Sequence, residues 1–483
     1  MKSTKLVWLV ILVIVTLVLS SCGGNDTPTT APAAGATNTT GAAAGAPTDT
    51  VAPAAGATNT TGAAAGATNT TAAAAPTNTT AAAAGGAATA TAPPPTPVSL
   101  GDPSKAKTTI TIWHSWASDY LAPKAAIFAD YVAQHPDVAI KLLSVPDLNT
   151  KVQNAVPAGV GPDIIAWVDD QIGTNVLVGA IDPLDGKGGI TQDYLKSLYP
   201  DVAVNAVTFN NQIYALPETL EAITFIYNKD LISEDQIPKN TTDLVAKMKD
   251  YNSKNPGKYF VVWDPNNAYT NAPWLYGAGG QYVDAQGTAH LDSPQALATA
   301  QFIRSLQGTM PKDIDGNAAD ALFNDGKAAI ELTGPWRVNG LQKQGMKFGL
   351  AKIPMVDFGD KGPARPFVGV KNLMLAHGSK NPDVAVDVMK FYTNADNLQK
   401  MAKQTGEVPA AKAAAQALSS DPVVQGFNAQ AVDGVPLPNT PYMGALWDPA
   451  AKAWTALWTG TDDPKAIMTA AQAAATAALA KMK

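Results

Sequence analysis

From about residue 108 onward the chain switches between two hydrophobic periods. Ile110 and Ile112 alternate with Thr109 and Thr111, which predicts a strand. Leu121, Ala125, Phe128 and Val132 then recur three or four apart and so share one face of a helix. Val138, Ile140 and Leu142 alternate again, and Asp163-Ile-Ile-Ala-Trp-Val168 is a short apolar run of the buried-strand type. Further on, Ser293-Pro294 offers an N-cap and a first-turn proline. Ala296, Leu297, Ala300 and Ile303 form the apolar face of that helix, and Gly308 is placed to end it. Strands alternating with helices over the last ~370 residues predict an α/β fold with largely parallel sheets. That length also exceeds what one core usually holds, so more than one lobe is expected.

The first hundred residues follow neither period. Residues 6–19 are apolar except for Thr16 and follow Lys2 and Lys5, which is the pattern of an export signal and too short for a comfortable membrane span. The run ends at Leu19-Ser-Ser-Cys22, which resembles the bacterial lipobox; the resemblance implies cleavage before Cys22 and its lipidation. An ordinary signal peptide with an incidental cysteine is the alternative. Residues 23–105 are dominated by Ala, Thr, Gly, Asn and Pro, and Ala-Gly-Ala-Thr-Asn-Thr-Thr recurs at 34–40, 55–61 and 65–71. Such a segment has too little apolar surface to offset the entropy of ordering, and reads as a tether. The Asn-Thr-Thr triplets at Asn38, Asn59, Asn69 and Asn78 match a glycosylation pattern, but repeat composition accounts for them.

Composition narrows the chemistry. Cys22 is the single cysteine, so the folded part has no disulfide, thiolate metal site or cysteine nucleophile. The net charge is −6 and 15% of residues are charged, which offers no basic face for nucleic acid. There is no G-x-S-x-G elbow, H-E-x-x-H pair or phosphate-binding loop. His114, His135, His290 and His377 are scattered, and no metal or cofactor is expected. What stands out is tryptophan. Several indoles sit beside polar groups: Trp113-His-Ser-Trp116, Trp167-Val-Asp-Asp170, Trp336-Arg337 and Trp447-Asp448. An indole face suits the C–H face of a pyranose ring while neighbouring carboxylates bond its hydroxyls. Each such tryptophan could equally fill core.

Several segments together carry a family resemblance. Gly161-Pro-Asp-Ile-Ile-Ala-Trp167 is similar to the G-P-D-I-I-x-W signature of the maltose/maltodextrin-binding type of solute-binding protein, which serves ABC sugar importers. Leu216-Pro-Glu-Thr-Leu-Glu221-Ala, followed by Tyr227-Asn-Lys-Asp230-Leu, resembles that family's crossover between lobes. Phe323-Asn-Asp-Gly-Lys-Ala-Ala329 with Thr333-Gly-Pro-Trp336 resembles another of its segments. Pro366-Phe-Val-Gly-Val370 resembles the return crossover, and Pro436-Leu-Pro-Asn439 with Leu446-Trp447 the closing one.

The resemblance implies a two-lobed periplasmic-binding-protein fold with a crossover hinge and an interlobe cleft. The first lobe would hold residues 106–219 and 371–420, the second 220–367 and 422–483. Trp116, Trp167 and Asp170 would line one wall, Glu221 would sit at the hinge, and Tyr269, Trp336 and Trp447 would stack on sugar rings. Implied partners are an oligosaccharide, permease subunits and, through Cys22, the membrane, with the protein exported and monomeric. Departures fall on hydrogen-bonding groups: Gln171 and Ala451 stand where enteric maltose binders carry arginine, and Ser115-Trp-Ala-Ser118 replaces an acidic and basic pair. These leave an oligosaccharide as the ligand class and maltose itself open. The alternatives are a binder of another solute, an exported glycosidase using Glu218, Glu221 or Asp170, and a structural surface lipoprotein.

Overall fold

The computed structural model describes residues 97–116 and 118–482. Cys22, the export signal and the repeats lie outside the described residues. The tether was expected to reach residue 105, but the lobe begins earlier. Val98–Leu100 pairs antiparallel with Val138–Ser144, and Val98 and Leu100 pack against the first core. Asp102 then accepts hydrogen bonds from Ser104 N (3.0 Å) and Oγ (2.6 Å), closing a turn into the strand Thr108–His114. The reason is local: Val98 and Leu100 are the first apolar pair after the repeats, and they cover an edge strand that would otherwise stand open. Limited proteolysis is therefore expected to leave a core starting near Pro97 with unchanged melting. A stable core starting at Thr108 instead, read by mass spectrometry, would contradict this.

The larger sheet has the strand order Val98–Leu100, Val138–Ser144, Thr108–His114, Ile164–Val168, Phe367–Leu375, Ala215–Glu221, Val408–Pro409. Its centre is parallel, Thr108–His114 lying between Val138–Ser144 and Ile164–Val168. The other pairs along that order are antiparallel, and the short strand Val435–Pro436 pairs in parallel with the start of Phe367–Leu375. The expectation of largely parallel sheets thus holds only for that centre and the short Val435–Pro436 pairing, because Phe367–Leu375 enters from the second lobe and runs back against Ile164–Val168 and Ala215–Glu221. The smaller sheet, in the order Phe348–Ala351, Thr224–Asn228, Ala328–Thr333, Tyr259–Val262, has one parallel pair.

Each sheet is covered by helices and has its own core. One core gathers residues from Ile110 to Leu216 and from Val370 to Ala414. The other runs from Ile223 to Phe367 and resumes with Val423 through Leu479, with Val408 also joining it. The chain therefore passes between cores at Ala222, within Phe367–Leu375, and again between Ala414 and Val423. The helix Ser118–Gln134 carries the face formed by Leu121, Ala125, Phe128 and Val132. Pro294–Ser305 starts at Ser293, whose side chain accepts from Ala296 N (3.2 Å).

Candidate ligand-binding cleft

Two structural motifs bring the walls of the cleft together. In Gly161-Pro-Asp163, the Asp163 carboxylate accepts from Thr111 N (2.9 Å) and Ser379 Oγ (2.6 Å), so this acid locks strand ends and stays out of the cleft. In Pro436-Leu-Pro-Asn439, Asn439 Nδ2 donates to the carbonyls of Asn205, Ala206 and Thr208. The Asn439 carbonyl accepts from Gly173 N at 2.9 Å, and a Cβ at Gly173 would lie 2.6 Å from that carbonyl oxygen. This close approach presents the helix Pro441–Thr459, with Trp447, to the first lobe.

Between the lobes lies a cavity of about 650 Å³. The first lobe contributes Asn149, Trp167, Asp170 and Gln171; Glu221 ends the outgoing crossover strand; the second lobe contributes Asp264, Asn266, Asn267, Tyr269, Trp336, Trp447, Ala451 and Thr455. Six of the seven ligand residues expected from sequence thus face one cavity. Beneath it, buried Phe367 stands 6.0 Å from Tyr269 and 6.1 Å from Trp447, ring centre to centre, as an aromatic floor. A Cβ at Gly334 would collide with the Trp336 ring, which explains the glycine of Gly-Pro-Trp. Arg337, bonded to buried Glu331 at 3.2 Å, pins the turn that carries Trp336.

The seventh residue, Trp116, lines an adjoining hollow of about 350 Å³ shared with Ser115, Tyr120, Trp167, Glu218, Glu221, Trp336 and Lys371. Trp116 is only 8% exposed and stacks on His114 at 4.4 Å, so it forms wall more than platform. Tyr120 Oη donates to Pro335 O (3.1 Å) across this hollow. Behind it lies a chain of charges: Lys124 pairs with Glu218 and Glu407, and Lys371 with Glu407 and Glu221.

Asp170 joins the lobes directly. Its Oδ2 accepts from Gln171 Nε2 (2.7 Å) and, across the cleft, from Trp447 Nε1 (3.2 Å). Its neighbour Asp169 is buried and accepts from Val370 N (2.7 Å) on the return crossover. Burial pushes Asp170 up to about 6, against the pull of the Gln171 and Trp447 hydrogen bonds. Two opposite slopes follow. A hydroxyl ligand bonded by the carboxylate should bind about tenfold more weakly at pH 5 than at pH 7.5, as Asp170 becomes largely protonated. The empty protein gains stability from this group as pH falls from 6 towards its unfolded value near 4, because its folded pKa is the higher one. Titration calorimetry and melts of wild type and Asp170→Asn would test both; an affinity slope equally steep in Asp170→Asn would remove Asp170 from this role.

The sequence did not single out Asn149, Asp264, Asn266, Asn267, Tyr120, Lys371 or Thr455. The first four lie at turns or helix starts, where Asp and Asn ordinarily serve as turn formers and caps, and only their position in the fold gives them a further meaning. Lys371 alone had a local signal, since it is the single charged residue of the strand that begins in the Pro-Phe-Val-Gly-Val crossover. Of the three departures from the enteric pattern, Gln171 bonds Asp170, Ala451 lines the cavity, and the Ser115-Trp116 stretch lines the adjoining hollow.

Residues 126–426 match the family model described as bacterial extracellular solute-binding protein. A maltotriose-binding protein of Pyrococcus abyssi is 32% identical over 344 residues, spanning 70% of this chain and 75% of that protein. A galactooligosaccharide-binding protein of Bacillus subtilis is 30% identical over 341 residues, 66% and 77% of the two chains. The Thermus thermophilus maltotriose binding protein, solved with maltotriose bound, aligns with a TM-score of 0.69 at 26% identity, covering 77% of this chain and 100% of that one.

Proposed function

We infer the cargo and its handling from one premise: the chain belongs to the bacterial extracellular solute-binding protein family. It captures an oligosaccharide of the maltose type in the interlobe cleft, outside the cell membrane, and delivers it to the permease subunits of an ABC importer. The observation that carries this reading is that both lobes turn aromatic faces and carboxylates onto one cavity. Trp336, Trp447 and Tyr269 stack on sugar rings from the second lobe, Trp167 from the first, and Asp170 and Glu221 accept hydroxyl protons. Sugar bound to both walls favours the closed arrangement that the Asp170–Trp447 bond already bridges.

Binding leaves the sugar intact. A glycosidase needs an acid and a second carboxylate free on either side of the scissile bond. Glu218 is instead buried between Lys124 and the Tyr392 hydroxyl, and Glu221 is paired with Lys371.

Calorimetry with maltose, maltotriose, maltotetraose and a β-linked galactotriose tests the cargo, with recovery of intact sugar as the control. Tighter binding of the galactotriose than of every maltooligosaccharide would reassign it. The anchor is the lipid on Cys22. Cys22→Ser is expected to release the protein from the membrane fraction, since stable retention needs several acyl chains; unchanged fractionation would remove the anchor from Cys22.

A further inference from the structure

We propose that Lys371 is the positioning residue for Glu221, holding that carboxylate charged and aimed into the cleft while tying it to the other crossovers. The inference rests on the reading of the cleft as an oligosaccharide site and adds a residue to it.

Lys371 and Glu221 sit on neighbouring antiparallel strands that are themselves two of the crossovers between lobes. Gly369 is opposite Glu221 and Lys371 opposite Thr219, and the register shifts immediately after Lys371. Such a bulge re-aims a side chain. Lys371 Nζ reaches Glu221 Oε1 at 2.6 Å and Glu407 Oε1 at 3.4 Å, and lies 5.5 Å over the Tyr120 ring. Glu407, fully buried, precedes Val408–Pro409, which pairs with the outgoing crossover strand and leads towards the third crossing. One ammonium group therefore links Glu221 on the first crossover with Glu407 on the chain approaching the third, from a seat on the second.

The surroundings explain why a cation is needed. Asp169, Tyr269, Glu407 and the paired Lys124 also act on or near Glu221. Among the described residues, Lys371 is the cation at ion-pair distance from it. Burial raises the Glu221 pKa, and Lys371 is the strongest influence opposing that rise. Without Lys371, Glu221 would sit buried beside anions and take up a proton, losing its role as an acceptor for sugar hydroxyls.

The test uses the full chain and two readouts. In the empty protein, carbon-detected NMR of glutamate carboxyls, with Glu221→Gln for assignment, should show Glu221 titrating at least one pH unit higher in Lys371→Met than in wild type. Lys371→Arg should titrate as wild type. For maltotriose, Lys371→Met should bind about tenfold more weakly at pH 7.5 and recover towards pH 9. In a Glu221→Gln background the same substitution should cost nothing further. An unshifted Glu221 titration overturns the proposal, as does an undiminished second loss in that background, which would mean that Lys371 acts without Glu221. If Lys371→Met fails to fold, Lys371→Gln carries the same readouts. If wild type binds no maltooligosaccharide, the cargo assignment fails while the NMR titration still decides the role of Lys371.

Discussion

Replacing Trp336 or Trp447 by alanine is expected to weaken oligosaccharide binding about thirtyfold or more, roughly 2 kcal/mol, while the empty protein keeps most of its melting temperature. Both indoles are partly exposed to the cavity, and each belongs to the margin of a core, not its centre. Trp447→Ala also removes the donor that reaches Asp170 across the cleft, so it should lose more than stacking alone. The converse holds for tryptophans in the cores. Trp113 is 8% exposed, and Trp454 is fully buried with its Nε1 bonded to Tyr282 Oη at 3.0 Å. Trp113→Ala and Trp454→Ala should each cost about 3–5 kcal/mol of stability. Calorimetry paired with melts of the four variants separates the two kinds. If Trp336→Ala and Trp447→Ala both bound normally, the cleft would have to be abandoned as the sugar site.

That division shows how far the sequence could be read. Nine tryptophans lie beyond residue 105, and polar neighbours left Trp113, Trp116, Trp167, Trp336 and Trp447 open between pocket and core. Trp116, Trp167, Trp336 and Trp447 line the two hollows; Trp113, Trp263, Trp274, Trp454 and Trp458 are core. Some of that was written locally. Trp454 and Trp458 are four apart on one helix and share its buried face with Leu446, Ala450 and Leu457. Trp447, adjacent to Leu446, falls at the edge of that stripe, where a helix turns from core to cavity.

Helices and strands with a clear period were legible for the same reason, since burial on one face leaves a periodic trace. The crossovers were legible only through resemblance, because a strand that passes between cores has no period of its own. The charged residues behind the cleft were not legible at all as a cluster. Lys124, Glu218, Glu221, Lys371 and Glu407 are spread over most of the folded chain, and only the tertiary structure brings them together.

Lys124→Met should lose about 3–5 kcal/mol of stability, on the order of 10 °C in melting temperature, although Lys124 is absent from the lining of either hollow. Lys124 is fully buried and bonded to Glu218, with Glu407 Oε2 at 3.1 Å. Methionine replaces most of the stem but leaves two buried carboxylates with Lys371 as their remaining cation. The pH dependence identifies the cause. In wild type, burial works to raise the Glu407 pKa, but Lys124 and Lys371 outweigh it and hold it below the usual value. That contribution is complete above the unfolded pKa near 4.5 and is lost as pH falls through the folded one. In the variant the sign reverses. With Lys124 gone, burial dominates at Glu407, which binds a proton more readily than in the unfolded chain, so the penalty is largest at neutral pH and shrinks as the solution is acidified. The melting gap between wild type and variant should therefore narrow from pH 8 to pH 5. A gap that stays constant over this range would mean that Lys124 stabilises the lobe by packing its stem, and that the charges behind the cleft are not energetically linked.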